Sequence, residues 1–324
     1  AQLAKPPGSL GRLEDLSVQL AGITGRVHNK MGRTHLLVFA ADNGVVAEGV
    51  SSAPQSVTLM QTVNLTRGKT GASVLAKHFG SGITVCDVGV NADIKEKAVL
   101  NRKIAYGTQN IASGPAMTRQ QAVTAILTGA KLAAETDADA LGVGEMGIGN
   151  TTTSAAVSCV LLGRAPEEMT GRGAGLSDDG LRRKIEVIYK GIAINHPEKT
   201  DVIGVLSALG GLDIAGLCGV FLGGALEKIP VIMDGFISGV AALCAVRLCP
   251  AAAKAVFASH ASSEPAARLV LDALHKKPLI TADLHLGEGT GAVASLPLWD
   301  MALAVYNHCY SFTEGGIAPY TPQC

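Results

Sequence analysis

Glu288 stands in a glycine-rich segment whose residue types suit acid–base chemistry. Gly287, Gly289 and Gly291 alternate around it, so the segment cannot be a helix interior and leaves the carboxylate sterically open. Mostly apolar residues follow at 292–298, and partial burial against them would raise the pKa of the carboxyl group and make it a better base near neutral pH. We therefore expect Glu288 to be a general base; the alternative is a turn glutamate that caps the following helix.

A second glycine-rich segment, residues 144–153, follows a strand-like run and precedes a helix-like one. Glycines let a backbone approach a ligand closely, and the amides at a helix N-terminus attract phosphate. The spacing is not that of the Gly-x-Gly-x-x-Gly dinucleotide motif, and the alternative is an ordinary turn with a threonine cap. The candidate catalytic or binding residues in this segment are Glu145, Gly147, Gly149, Asn150 and Thr151.

Three further regions hold polar residues at positions typical of ligand sites. Gly173 belongs to the glycine-rich segment 171–175, a candidate anion site to which Lys184 could add charge, although a helical lysine is usually solvated. Asp234 follows a strand-like run, where binding of ribose hydroxyls and capping of a helix are equally good interpretations. For His260 a structural hydrogen bond is favoured over a substrate contact. The histidines and cysteines lack metal-ligand spacing, so no metal site is expected.

Short apolar runs alternate with helix-like runs along the chain, which is typical of an α/β protein with a mostly parallel sheet. Five of these runs lack polar alternation, as expected of strands buried on both faces: residues 36–41, 83–88, 140–144, 230–233 and 255–258. Helix starts are predicted at Thr118, at Ser177 and at residues 262–265. Because ligands bind at the carboxyl ends of parallel strands, the polar segments are expected to converge there.

The composition argues against two classes of partner. The 324-residue chain has 27 basic and 27 acidic residues and 4% aromatic residues, so it lacks the net charge and stacking surfaces typical of nucleic-acid-binding proteins. The apolar stretch 202–226 is interrupted by Gly210 and Gly211, which predicts a buried turn and helix and no membrane span. Seven cysteines without a Cys-x-x-Cys pair predict free thiols and a cytoplasmic location.

Six segments, taken together and in order, resemble the nicotinate-nucleotide–dimethylbenzimidazole phosphoribosyltransferase family. They are residues 5–14, 41–45, 66–68, 144–152, 233–236 and 286–291, and they span nearly the whole chain. The resemblance implies a Rossmann-like, mostly parallel sheet flanked by helices. It also implies a large catalytic domain at residues 28–295 and a small helical domain built from residues 1–27 and 296–324. A homodimer, or a heterodimer with a paralogous subunit, is expected, and no cofactor.

The family transfers phosphoribose from nicotinate mononucleotide to a free base, with inversion at the anomeric carbon, in the assembly of the cobamide lower ligand. By this resemblance Glu288 is the catalytic base, Glu145 lies near the ribose and phosphate, and the amides around Gly147 and Gly149 hold the phosphate. Further matching positions lie in the nucleotide site (Lys184, Asp234 and Ser262) and in the wall of the base pocket (Pro54 and Gln61).

The identity of the acceptor and two other functions stay open. Ala53 stands in the base-pocket segment where family members can carry serine, so a benzimidazole, a purine-like base and a phenolic compound are all candidate acceptors. One alternative function is a non-catalytic subunit that supports an active paralogue, against which the intact Glu288 and Glu145 speak. The other is a nicotinamide-dinucleotide oxidoreductase, against which the missing dinucleotide motif speaks.

Overall fold

The strands of this protein form one parallel sheet. The computed structural model describes residues 2–320. Within this range the strands are Thr34–Ala41 (β1), Gly82–Gly89 (β2), Val99–Asn101 (β3), Ala140–Met146 (β4), Val231–Met233 (β5) and Val256–Ala258 (β6). They lie in the order β3-β2-β1-β4-β5-β6 and every neighbouring pair is parallel. This is the strand order of a Rossmann-like fold, in which the order reverses beside β1 and leaves a crevice at the carboxyl ends. The predicted α/β class is confirmed.

Helices cover both faces of the sheet. Alternate residues of β1 accordingly belong to two different apolar clusters, one on each face. Leu37 and Phe39 lie in one cluster, and Leu36 and Val38 lie in the other. The helices are Arg12–Thr24 (α1), Ser56–Thr66 (α2), Gly71–His78 (α3), Arg119–Glu135 (α4), Asn150–Leu162 (α5), Pro166–Met169 (α6), Asp178–Asn195 (α7), Val202–Leu209 (α8), Leu212–Glu227 (α9), Phe236–Leu248 (α10), Ala267–Ala273 (α11), Thr290–Ala294 (α12) and Leu296–His308 (α13). Two 3₁₀ helices, Gly44–Glu48 and Pro250–Lys254, complete the described elements.

Several predicted helix boundaries are confirmed. Thr118 caps α4 and forms a reciprocal capping box with Gln121, and the Ser177 side chain accepts from the backbone of α7. Gly210 and Gly211 separate α8 from α9, as predicted. Across residues 2–320, none of the helices has the length and apolar character needed to cross a membrane.

The predicted helix start at residues 262–265 is wrong. Helix α11 begins only at Ala267. The backbone N–H groups of Ala261 and Ser263 donate instead to the carbonyl groups of Ile280 and Leu284, at 2.9 and 3.3 Å. These bonds, with the isolated bridge between His260 and Ile280, hold residues 260–263 alongside the distant segment 280–284, and the helix starts only beyond them. Strand β3, only three residues long at the edge of the sheet, is also absent from the sequence prediction.

Helices α4 and α9 pack closely because glycines line their contact. A Cβ atom at Gly219 would overlap the carbonyl oxygen of Ile126 and lie 2.9 Å from the backbone nitrogen of Ala130. Gly129, on α4, meets the backbone of Gly216 in the same way. The glycines therefore let two backbones approach, at the cost of the conformational freedom that glycine loses on folding.

We expect Gly219→Ala to lower the free energy of unfolding by about 1–3 kcal/mol, because the added methyl group forces α4 and α9 apart. Chemical denaturation followed by circular dichroism measures this change. The matched control is Gly22→Ala on α1, where an added Cβ meets nothing within 4 Å. There the same change should raise stability by about 0.5–1 kcal/mol. Equal effects at the two positions would contradict the proposed role of close backbone packing.

The helices at the two ends of the described chain pack against each other. Helix α1 contacts α13, and Leu3 forms an isolated antiparallel bridge with Ser311. Their apolar residues, among them Leu16 and the fully buried Trp299, join the cluster on one face of the sheet. The division into domains at 28–295 and at 1–27 plus 296–324 stays a prediction. Residue 1 and residues 321–324, including Cys324, lie outside the described range.

Candidate active site

A cleft lies at the carboxyl ends of β4, β5 and β6. The carboxyl end of a parallel sheet is where the sequence segments are expected to converge. Eleven of the twelve predicted site residues line this cleft: Gln61, Glu145, Gly147, Gly149, Asn150, Thr151, Gly173, Lys184, Asp234, Ser262 and Glu288. Pro54 is exposed and is not part of the lining, so its role in a base pocket stays a prediction.

The Glu288 carboxylate is 5% exposed and is oriented by Gln61. The Gln61 amide nitrogen donates to Glu288 Oε1 at 3.2 Å, and the Gln61 oxygen accepts from Asn64 at 3.2 Å. Among the described residues, Glu288 Oε2 has no hydrogen-bond partner. Burial is the main cause that raises the pKa of Glu288, and it outweighs the lowering effects of the nearby Thr70 hydroxyl, the Ala72 backbone N–H and Gln61. The negative charge of Asp234 adds a smaller increase. A buried carboxylate with one unpartnered oxygen in a cleft is suited to accept a proton.

The backbone around Glu288 adopts a conformation that side chains disfavour. Glu288 has φ of +63°, between Gly287 at +84° and Gly289 at +93°. The left-handed conformation costs a residue with a Cβ atom about 1–2 kcal/mol, so the surrounding structure must hold it. Gly144 on β4 contributes, since a Cβ there would overlap the Glu288 carbonyl group. The glycines therefore allow close backbone contact as well as steric access to the carboxylate. Glu288 does not cap α12, whose N-cap residue is Gly289 without a side-chain bond.

Asp234 contacts the same loop. Its two carboxylate oxygens accept from the backbone N–H groups of Gly289 and Gly291, at 3.0 and 2.7 Å. It does not cap the helix that follows it, because the N-cap residue of α10 is Gly235 and has no side-chain bond. His260 lies beside this contact, with Nδ1 at 3.9 Å from Asp234 Oδ1 and 3.0 Å from Ser259 Oγ. The structural hydrogen bond predicted for His260 is present, and the residue also lines the cleft.

Glu145 lies near the end of a strand and not in a loop, because β4 continues to Met146, two residues beyond the predicted end. The Asn150 amide nitrogen donates both to Glu145 Oε2 and to Asp213 Oδ2, the latter at 3.0 Å. One amide group therefore bridges two buried carboxyl groups. Burial, followed by the charge of Asp213, raises the pKa of Glu145 well above its usual range. These effects favour the protonated form of Glu145, which can donate a hydrogen bond.

Lys184 lies buried at one corner of the cleft. Its side chain is 1% exposed, against the expectation of a solvated lysine, and Nζ donates to Thr151 Oγ1 at 2.8 Å and to the Gly171 carbonyl oxygen at 3.1 Å. Within residues 2–320 no carboxylate forms an ion pair with it. Gly149, the N-cap residue of α5, and the first helical residues Asn150 and Thr151 line the same part of the cleft. A buried cation beside a helix N-terminus suits a phosphate group.

The comparisons with known proteins agree over the whole chain. A family model described as phosphoribosyltransferase matches residues 1–317. A relative from Acetivibrio thermocellus, named nicotinate-nucleotide–dimethylbenzimidazole phosphoribosyltransferase, is 48% identical over 99% of this chain and 92% of its own length. A relative of the same name from Chloroflexus aggregans is 45% identical over 98% of this chain and 91% of its own. The crystal structure of CobT from Thermus thermophilus is similar at a TM-score of 0.94 and 40% identity, covering 98% of this chain and 96% of that one.

The chain belongs to the nicotinate-nucleotide–dimethylbenzimidazole phosphoribosyltransferase family. The resemblance inferred from six short segments is thereby confirmed. The roles of individual residues in this family member stay predictions that rest on the geometry described above.

One residue beside the site in this family member was not predicted from the sequence. Asp213, at the start of α9, is fully buried and holds Asn150 against Glu145. Burial raises the pKa of Asp213 to about 6. A signal was present, since Asp213 is the only charged residue in the apolar stretch 202–226 and a buried charge needs a partner. Among residues 2–320, no group of three or more histidine, cysteine, aspartate and glutamate side chains is arranged to hold a metal ion.

Proposed function

We propose that this chain transfers the phosphoribosyl group of nicotinate mononucleotide to a lower-ligand base, which releases nicotinate and yields an α-ribotide for cobamide assembly. Membership in the family supports the reaction. The observation that carries the proposal is the buried Glu288 carboxylate, which shares one cleft with the unpaired cation of Lys184. The first is suited to deprotonate a base, and the second to hold the phosphate of a nucleotide.

The chemistry needs only one strong protein base. As the unprotonated ring nitrogen of the acceptor attacks the anomeric carbon, a new C–N bond forms and the proton on the other ring nitrogen passes to Glu288. The bond from the anomeric carbon to nicotinate breaks, and its electron pair neutralises the pyridinium nitrogen. Nicotinate therefore leaves without a proton donor, and the protein's task is to remove the acceptor proton. A positioned general base contributes about 10²–10⁴ in rate.

In this proposal Glu145, whose pKa is raised by burial, binds the substrate in its protonated form. Its oxygen Oε1 lies against Gly287, where a Cβ atom would approach it to 2.7 Å, so Glu145 meets the loop that carries Glu288. There it can donate to a ribose hydroxyl or phosphate oxygen while Asn150 holds its other oxygen. The pair thus divides two roles between two carboxyl groups, one donating a hydrogen bond and one accepting a proton.

Oligomeric state and location belong to the same proposal. We place the chain in a homodimer, or in a heterodimer with a paralogous subunit, on the basis of the sequence resemblance. A cytoplasmic location is supported by the six cysteines of the described residues, all of which carry free thiols.

The test is an assay of the purified chain with nicotinate mononucleotide and a panel of acceptors: 5,6-dimethylbenzimidazole, adenine and phenol. We expect nicotinate release that depends on an acceptor, with the matching α-ribotide detected by chromatography and mass spectrometry. Samples without acceptor measure simple hydrolysis. A folded protein that releases no nicotinate with any acceptor would contradict the proposal and support the non-catalytic alternative. The acceptor with the highest kcat/KM identifies the substrate class.

A further inference from the structure

Both carboxylate oxygens of Asp234 accept hydrogen bonds from the loop that carries Glu288. The bonds from Gly289 and Gly291 reach different oxygens, at 3.0 and 2.7 Å, and Asp234 itself is 2% exposed. The two donors lie one and three residues after Glu288 in the chain. Since the backbone N–H of Gly289 belongs to the peptide group that begins with Glu288, the first bond acts directly on the orientation of Glu288.

The loop needs such an anchor because Glu288 is the one residue with a side chain among three consecutive left-handed residues. Such a backbone persists only where surrounding contacts hold it. Gly144 presses on the carbonyl side of the Glu288 peptide, and Asp234 holds the amide side. His260 occupies the space that a Cβ atom at Gly291 would need, so the second donor is also confined.

The geometry points to Asp234 as a positioning residue that fixes the Glu288 carboxylate through the backbone of Gly289 and Gly291, and not as a ligand of the nucleotide ribose. This inference rests on the proposed function, because it assigns Asp234 to the placement of that function's base. It differs from the sequence-based expectation for Asp234 in a measurable way. A ribose ligand contributes to nucleotide affinity, whereas a residue that positions the base contributes to turnover.

Asp234→Asn is the first test. The amide keeps one acceptor oxygen but turns its NH₂ group toward a backbone N–H, so one of the two bonds is lost. We expect kcat to fall on the order of 100-fold, because a small displacement of a catalytic group has an effect of this size. The KM for nicotinate mononucleotide, and its Kd by calorimetry, should stay at the wild-type value. A variant with unchanged kcat and weakened nucleotide binding would overturn the inference and return Asp234 to the ribose.

Gly144→Ala is the second test, and it disturbs the same peptide group from the opposite side. We expect the same pattern, a loss of kcat with retained nucleotide affinity. The variant keeps the inference testable if Asp234→Asn fails to fold, and full turnover in a folded Gly144→Ala protein would overturn it. The matched control for charge is Asp300→Asn, an exposed carboxylate on α13, which should leave both constants unchanged.

Hydrogen exchange of the segment 285–295 gives a readout that does not depend on activity. In Asp234→Asn we expect faster exchange in this segment than in wild type or Asp300→Asn, because a backbone donor loses its acceptor. Unchanged exchange would overturn the inference. If the wild-type chain releases no nicotinate with any acceptor, the proposed function fails, while this exchange comparison still decides whether Asp234 anchors the loop.

Discussion

We expect Glu288→Gln to lower the kcat of phosphoribosyl transfer by about 10²–10⁴-fold and to leave the binding of nicotinate mononucleotide intact. Glutamine keeps the shape and polarity of the side chain, and its amide can still meet Gln61, but it cannot accept the acceptor's proton. The loss should appear in single-turnover kinetics, and the Kd of the nucleotide by calorimetry should match wild type. We expect a large loss of kcat because accepting this proton is the only role of Glu288 in the proposed mechanism.

The matched control for this change is Glu186→Gln on α7, an exposed glutamate, which should keep full activity. Unchanged turnover in Glu288→Gln would remove Glu288 from the role of base. Loss of nucleotide binding along with turnover would instead indicate that the residue supports the shape of the cleft.

The pH dependence of kcat/KM in the wild-type protein should reflect the titration of Glu288. Burial raises the pKa of Glu288 above its usual value of 4.5, and the negative charge of Asp234 acts in the same direction. Because the active form is the carboxylate, kcat/KM should fall as the pH drops through this raised pKa, earlier than for an exposed glutamate. This fall in kcat/KM at acidic pH is measured with a chemically stable acceptor, and it should be absent from the residual activity of Glu288→Gln. An acidic limb at the pKa of an exposed glutamate would contradict this assignment.

We expect Lys184→Met to raise the KM for nicotinate mononucleotide by about 10- to 100-fold, the size of effect that follows the loss of a hydrogen bond to a charged group. Methionine fills most of the volume of the buried side chain without its charge. No carboxylate of the described residues forms an ion pair with this cation, although the charge of Glu264 acts on it from farther away. In the proposed function the phosphate of the substrate is the charge that compensates it. Isothermal titration with nicotinate mononucleotide and with nicotinate riboside, which lacks the phosphate, separates the two contributions.

The control is Lys190→Met on the same helix, an exposed lysine that should leave affinity unchanged. Equal losses of affinity for the nucleotide and the riboside in Lys184→Met would contradict a phosphate contact.

Nucleotide affinity should also depend on pH through Lys184. Burial lowers the pKa of this lysine to about 8. Below that pH the side chain is a cation and attracts the phosphate dianion; as the pH rises through about 8 the charge is lost and affinity falls. Lys184→Met should bind with an affinity that no longer declines in this range.

The buried strands, the capped helices and the two glycine-rich loops could be predicted from the sequence because each depends on neighbouring residues. Continuous apolar runs predict β1, β2, β4, β5 and β6, and the Thr118 and Ser177 caps act within three residues of themselves. Glu288 could be selected because glycines directly beside it report an open, non-helical backbone.

The contacts between these residues and their burial were decided by the tertiary structure. Asp234 and the Glu288 loop are more than fifty residues apart in sequence, and only the parallel order of β4, β5 and β6 brings the carboxylate of one against the amides of the other. The same holds for Asp213, whose partner Asn150 lies on another helix. It also holds for Lys184, which the fold buries although helical lysines are usually solvated.

Sequence by itself therefore determined the fold class and the family and selected Glu288 as the candidate catalytic carboxylate, since residue types and local spacing carry that information. The protonation and orientation of that carboxylate were decided by the fold alone. A pKa depends on burial and on charges nearby in space, and a strained backbone depends on contacts from other elements. Neither is encoded within a single segment.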